Sequence, residues 1–247
     1  MDILAGYAPL QIGVALLAAF GSAFVRGLTG FGMAILLVPV LALAMVPVDA
    51  VLLANFLSLF IGLVDIRRLV QTAERSAWTL CLLVLLFTPA GLWALAVTSP
   101  DLARFVIALI ALSAFVAIYL PRASDLPPGR ATTAGVGVLS GLMTGYAGMP
   151  GPPVVPYYVR RDLPRATAKA SMLLVFTAAG LAGLGSGAAL GVLDWRLAIL
   201  ALLLFPAVVL GNKLGERASD AVGDRAWRIA VGIVLGGAAG AALWRLV

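Results

Sequence analysis

The sequence predicts an all-α integral membrane protein: about ten helical segments arranged as two inverted repeats of five, with short broken or re-entrant hairpins at the tips 26–32 and 144–153. Three observations carry this: the composition, a ladder of continuous apolar runs, and landmarks that recur at a fixed spacing. Hydrophobic residues make up 62% and charged residues 11% of the chain, and the mean hydropathy is +1.08. Soluble domains are roughly half apolar and a quarter charged, and one core built from 247 residues cannot hide so much apolar surface. Lipid is therefore the solvent. There every backbone polar group needs an internal partner, which leaves helices and closed barrels. Barrel strands would alternate over ~10 residues; these runs are continuous.

The runs, bounded by proline, glycine and charge, fall at 9–26, 31–46, 49–66, 77–97, 102–120, 131–145, 150–159, 166–187, 195–212 and 226–245. Asp2 is the only charge before the first run. Without the basic n-region of a cleaved signal, that run is expected to be retained. The second run follows a glycine cluster and is short. The third holds the polar residues Asn55 and Ser58. The fourth contains Cys81, the single cysteine, which excludes a disulfide framework. After the fifth run, Pro121–Arg130 (PRASDLPPGR) marks the boundary between residues 1–120 and 131–247. It is too short for a domain linker, so one membrane domain with two repeats is expected. The sixth run and especially the seventh are again short, too short to span ~30 Å comfortably. The eighth carries Lys169 and Ser171, and the ninth and tenth complete the second half.

Pro39 and Pro156 lie 117 residues apart, as do Pro47 and Pro164, Trp78 and Trp195, and Pro89 and Pro206. Just upstream, Leu28-Thr29-Gly30-Phe31 matches Met143-Thr144-Gly145-Tyr146 at an offset of 115, which places a two-residue insertion in the second glycine/proline tip. Five segments per half is an odd number, so the halves are expected to be inverted. Charge supplies an independent check. With the loop bearing Arg67, Arg68 and Arg75 in the cytoplasm, alternating sides place fourteen of the seventeen Lys and Arg residues inside, leaving Arg104, Arg196 and Arg245 outside. The positive-inside rule then puts both termini outside, which is periplasmic for a bacterial inner (plasma) membrane. The net charge of +6 and pI near 10.1 are thereby read as a topology signal. No basic stripe with interleaved aromatics points to nucleic acid.

Short, Gly/Pro-interrupted segments in matching places of two halves point to a transport site near the midplane. About ten helical residues at ~1.5 Å each reach that depth, so the tips, one entering from each side, are expected to meet. Glycine permits close approach of backbone to a ligand, and two helix N-termini facing one another suit an anion. The candidate substrate-binding residues are Arg26, Thr29, Gly30, Gly32, Asn55, Thr144, Gly145, Tyr146, Gly148, Lys169 and Ser171. Several have an alternative reading. The tip glycines also suit close helix packing, and Gly137, Gly141 and Gly145, like Gly232, Gly236 and Gly240, repeat every four residues as packing faces do, within the monomer or in a homodimer. Asn55 either faces the site or makes an interhelical hydrogen bond. Lys169 either neutralises an anion or, one turn after Arg165, snorkels to the surface. Arg26 is intramembrane if the hairpin is re-entrant and then demands an anionic partner; in a full crossing it is an ordinary inside charge. Asp65 is expected to pair at the interface, and Asp49 and Asp194 to be solvated near the outer side. With no histidine and no cluster of acids at ligand spacing, neither metal nor cofactor is expected.

The glycine-rich element from Gly27 through Val38-Pro39, its degenerate copy Thr144–Pro156, and the tract Gly211-Asn212-Lys213-Leu214-Gly215 make the chain resemble the TauE/SafE sulfite-exporter family, also called the toluene-sulfonate uptake permease family. The proline-rich Met149-Pro150-Gly151-Pro152-Pro153 departs from the usual pattern of that copy. The resemblance covers nearly the whole chain. It implies a secondary transporter of small sulfur-containing anions such as sulfite, sulfonates or sulfoacetate, working in either direction in membrane lipid, with the choice of coupling partner, a proton or another cation or none, left open by the sequence. The alternatives are an anion channel and a lipid-active membrane enzyme. The latter is disfavoured because no span end carries a histidine, a cysteine pair or a carboxylate pair.

Overall fold

The computed structural model describes residues 9–29, 32–119 and 129–218. Among them every regular element is helical. The first half gives α1 (Pro9–Thr29), α2 (Met33–Ala44), α3 (Pro47–Val64), α4 (Ile66–Thr72), α5 (Arg75–Val97) and α6 (Pro100–Tyr119). The second gives α7 (Arg130–Ala147), α8 (Gly151–Val159), α9 (Arg165–Ala189) and α10 (Trp195–Ala218). Helices α1, α3, α5, α9 and α10 are long and apolar enough to cross a membrane. The expected tenth segment 226–245, with Gly232, Gly236 and Gly240, and most of the boundary 121–130 lie outside the described residues. Helix α4 was not anticipated. It is a seven-residue helix of about two turns in the basic loop, held by the buried Leu69.

The landmarks occupy like places in the two halves. Pro39 and Pro156 lie inside the short helices α2 and α8. Pro47 starts α3 and Pro164 caps α9, Trp78 and Trp195 sit in the first turns of α5 and α10, and Pro89 and Pro206 lie inside those helices. Prolines inside membrane helices are tolerated because neighbours re-satisfy the freed carbonyls. The chain breaks at a left-handed glycine in each half: Gly32 (φ 94) before α2 and Gly148 (φ 65) after α7. An L-residue with a side chain rarely adopts that backbone. The break before α2 therefore lies after Thr29, and the break between α7 and α8 spans 148–150, narrower than the expected tips.

Length bears on the choice between a full crossing and a re-entrant hairpin. The 12 residues of α2 and 9 of α8 rise only about 18 and 13 Å at ~1.5 Å per residue, against a ~30 Å hydrocarbon core. Neither is long enough to cross such a core alone; each is a half-helix in length.

The most extensive packings are α5 on α7 and α1 on α10, followed by α3 and α5 on α9. Each close pair joins the two halves. Glycine makes it possible: a Cβ at Gly27 would overlap the Asn212 carbonyl, and one at Gly215 the Phe24 carbonyl. On the other pair, a Cβ at Gly91 would overlap the Leu142 carbonyl, and one at Gly145 the Thr88 carbonyl. In lipid, where no hydrophobic force drives helices together, such close approach supplies the dispersion energy of association. One apolar core joins α1, α2, α3, α6 and α10; a second joins α4, α5, α8 and α9.

The second core is fastened at its edge by a pair outside the spans. Arg161 donates two hydrogen bonds to the Glu74 carboxylate, at 2.6 and 2.7 Å, and its guanidinium lies over the Tyr157 and Tyr158 rings. Ser76 donates to the same carboxylate and meets the Tyr158 hydroxyl. The Glu74 N–H donates to Ser171 Oγ. Burial alone would raise the Glu74 carboxyl, but the bonds from Arg161 and Ser76, with the Arg161 charge, hold it below the ordinary value of 4.5. The bond to Glu74 raises Arg161, which stays charged throughout. A depressed carboxylate contributes stability above its unfolded value and loses it as pH falls through the folded one. Glu74→Gln is thus expected to cost about 1.5–3 kcal/mol at pH 7, a difference shrinking toward zero below about pH 4. Thermal melts of both proteins in detergent, from pH 7 down to 3, check this; a gap independent of pH would assign the loss to packing.

Candidate functional site

A cavity of about 40 Å³ forms where the two half-helices meet. Gly32, Met33, Ala34 and Ile35 bring the first turn of α2 to it, and Met149, Pro150 and Gly151 bring that of α8. The two starts are close neighbours: a Cβ built on Gly151 would stand 3.7 Å from Ile35 Cδ1. Roughly 10–15 Å³ suffices for one water, so the space suits a small ion of a few heavy atoms. Arg26 of α1, Ser58 of α3 and Thr177 of α9 supply its polar side chains, while Ile61, Leu173 and Phe176 extend an apolar wall.

The two helix ends differ in chemistry. Helix α2 starts without a side-chain cap, and its leading N–H groups, which have no intrahelical acceptor, belong to residues that line the cavity. Helix α8 carries Pro150, Pro152 and Pro153 around its start. Proline has no N–H, so within that turn only Gly151 and Val154 can donate. Both ends still contribute a positive dipole. The arrangement can hold a small anion against α2 donors and the Arg26 guanidinium, with hydroxyls on the facing helices.

A larger cavity, about 350 Å³, adjoins it at the basic end of the bundle. The last turns of α1, α3 and α10 meet α4 and the first turns of α9 there. Arg26, Arg68, Lys169 and Lys213 stand against Asp65 and Glu216 on its walls, an excess of two positive charges (four cations less two carboxylates). Arg26, Ile61 and Leu173 line both cavities.

Among the candidates, the structure thus brings Arg26 and Gly32 to the small cavity and Lys169 to the large one. It places the others elsewhere. Thr144 is buried and donates to the Ser140 carbonyl, Gly145 is taken up by the contact with α5, and Tyr146 packs against the first core. Gly148 lies beside Val38 and Val51. Ser171 donates to the Thr167 carbonyl while accepting from Glu74. Asn55 is buried at the α3–α9 crossing against Gly183, its Nδ2 without a hydrogen-bond partner. Thr29 ends α1, and Gly30 lies outside the described residues. Of the pairings expected for the acids, Asp49 does not stand alone in solvent but is partly buried near Asp194.

Sequence reasoning passed over Thr177 and the partners of Arg26. The Arg26 Nη1 donates to Asn212 Oδ1 at 3.5 Å, and Asn212 Nδ2 donates to Glu216 Oε1 at 3.1 Å. A signal was present: Asn212 and Glu216 stand four apart in the glycine-flanked tract of α10, hence on one helix face. Among the described residues, no group of histidine, cysteine and acidic side chains could hold a metal ion.

Compared with known proteins, residues 15–243 match the model of the family described as Sulfite exporter TauE/SafE. No curated protein and no solved structure matches.

Proposed function

The chain belongs to the sulfite exporter TauE/SafE family, a family of membrane-embedded sulfur-anion transporters, and from that premise we propose that it carries a small sulfur oxyanion or sulfonate across the bacterial inner membrane by alternating access. One observation carries this reading: two half-helices from different halves of the chain end at one cavity that also holds an arginine. A small anion is the ligand that positive helix ends and a guanidinium jointly favour. The excess positive charge of the adjoining cavity would concentrate anions at its mouth. Residues 1–120 and 131–247 are the two repeats in this proposal, inverted in the membrane, with both termini periplasmic. The large cavity then opens to the cytoplasm, and the protein is in its inward-facing state. Helix pairs α1–α10 and α5–α7, each spanning both repeats, are the bodies that rock about the α3–α9 crossing.

Purified protein in liposomes tests the reading. Saturable flux of sulfite, taurine or sulfoacetate is expected, with binding of the transported anion and none of an equal concentration of chloride. Alternating access requires μs–ms steps, so single-channel currents, or turnover above ~10⁵ per second, would establish a channel instead. Absence of flux for all three together with hydrolysis of a lipid would establish an enzyme.

A further inference from the structure

Arg26 occupies the throat between the two cavities, with Ile61 and Leu173 as the apolar remainder of its wall. Its position is fixed from α10. Glycines on both helices bring the α1 and α10 backbones together, Gly27 lying against the Asn212 carbonyl and Gly215. This sets the Asn212 side chain beside the guanidinium. Asn212 is in turn oriented: an amide that donates through Nδ2 to Glu216 must present its oxygen on the other side, where Arg26 donates to it. The Glu216 carboxylate and that of Asp65, between α3 and α4, line the large cavity together with Arg26.

We propose that Asn212 and Glu216 form a resident counter-anion assembly for Arg26, so that the transported anion must win the guanidinium from Glu216 on entering the throat. The inference rests on Arg26 as the anion ligand. Asn212 is a positioning residue, holding the fork where it can turn to either cavity. Glu216 is a competitor whose negative charge keeps the empty throat from retaining an anion and helps expel one toward the next state. The 3.5 Å separation of Arg26 from Asn212 is long for a charge-assisted bond. A substrate oxyanion at ordinary hydrogen-bond distance can therefore replace it.

The sign of the charge effect tests this. Glu216→Gln keeps an acceptor for Asn212 and deletes the competing charge; sulfite affinity of the purified protein should rise at least threefold. Asn212→Asp places a carboxylate on Arg26, and affinity should fall tenfold or more. In an Arg26→Ala background neither change should alter affinity, because the charge they act through is gone. Calorimetry with sulfite reads the two single variants, Arg26→Ala and the two double variants, and size-exclusion profiles confirm that each is folded. Should Asn212→Asp fail to fold, Glu216→Gln and its Arg26→Ala double variant carry the test. Wild-type affinity in Glu216→Gln, with affinity lost in Arg26→Ala, overturns the competitor role and leaves the anion site standing. Wild-type affinity in Arg26→Ala overturns both.

Discussion

Replacing Arg26 with alanine is expected to weaken sulfite binding by tenfold or more. Each helix terminus offers about half a charge, and a single interaction with it is worth roughly 0.3–2 kcal/mol. The α8 end supplies less than a full set of donors, because Pro152 and Pro153 occupy its first turn. Dipoles and α2 donors therefore leave a deficit for a compact anion removed from water, which loses strong hydration. Charge-assisted bonds from a guanidinium supply about 1.5–3 kcal/mol, and ~1.4 kcal/mol is already a factor of ten. The site has one such group to lose. The repeat counterpart of Arg26 at the offset of 115 is Gly141, which is packed against Phe87 and the Leu83 carbonyl on α5. Arg26→Lys should restore only part of the affinity, since a point charge replaces a bidentate fork. Calorimetry on purified variants distinguishes this from a surface role, in which neither substitution changes affinity.

How much of this was legible in the sequence follows from which physics was local. Apolar runs and proline spacing are properties of single segments, and they placed nine helices and the four landmark pairs where the structure has them. The half-helices were legible as short runs, but where they break from α1 and α7 required knowing that Gly32 and Gly148 take left-handed backbone. The site was only partly legible. Arg26 and Gly32 could be found because a charge and a glycine in an apolar context are anomalous on their own. Thr177 could not: a threonine in a membrane helix also satisfies itself on the preceding turn, as this one does at the Leu173 carbonyl, and nothing local tells the two uses apart. Asn55 and Ser171 illustrate the converse. Both are buried polar residues, yet one is spent at a helix crossing and the other on the α5 N-terminus, partners about a hundred residues away in sequence. The Glu74–Arg161 pair, 87 residues apart, is of the same kind.

The glycines divide in a way that a single experiment exposes. Gly145→Leu is expected to abolish the folded protein, and Gly32→Leu to leave it folded but unable to bind. At Gly145 an added Cβ would overlap the Thr88 carbonyl oxygen and the Leu92 nitrogen, both backbone atoms of α5. No rotamer relieves such an overlap. The helices must separate along their whole contact, the most extensive among the described residues. Ordinary overpacking costs about 1–3 kcal/mol when side chains can shift; here the loss extends to the dispersion contacts of two entire helix faces, the main source of association in lipid. At Gly32 the surroundings are open, with nothing within 4 Å of a Cβ, and the cost is that of holding an L-residue at φ 94, about 1–3 kcal/mol. A leucine there would stand at the small cavity, in front of the α2 donors. Fluorescence-detected size exclusion should therefore show Gly145→Leu aggregated or absent and Gly32→Leu as a sharp peak, whose sulfite affinity is lost in calorimetry. A well-folded Gly145→Leu protein that fails only in transport would move that glycine out of the helix contact and into the binding site.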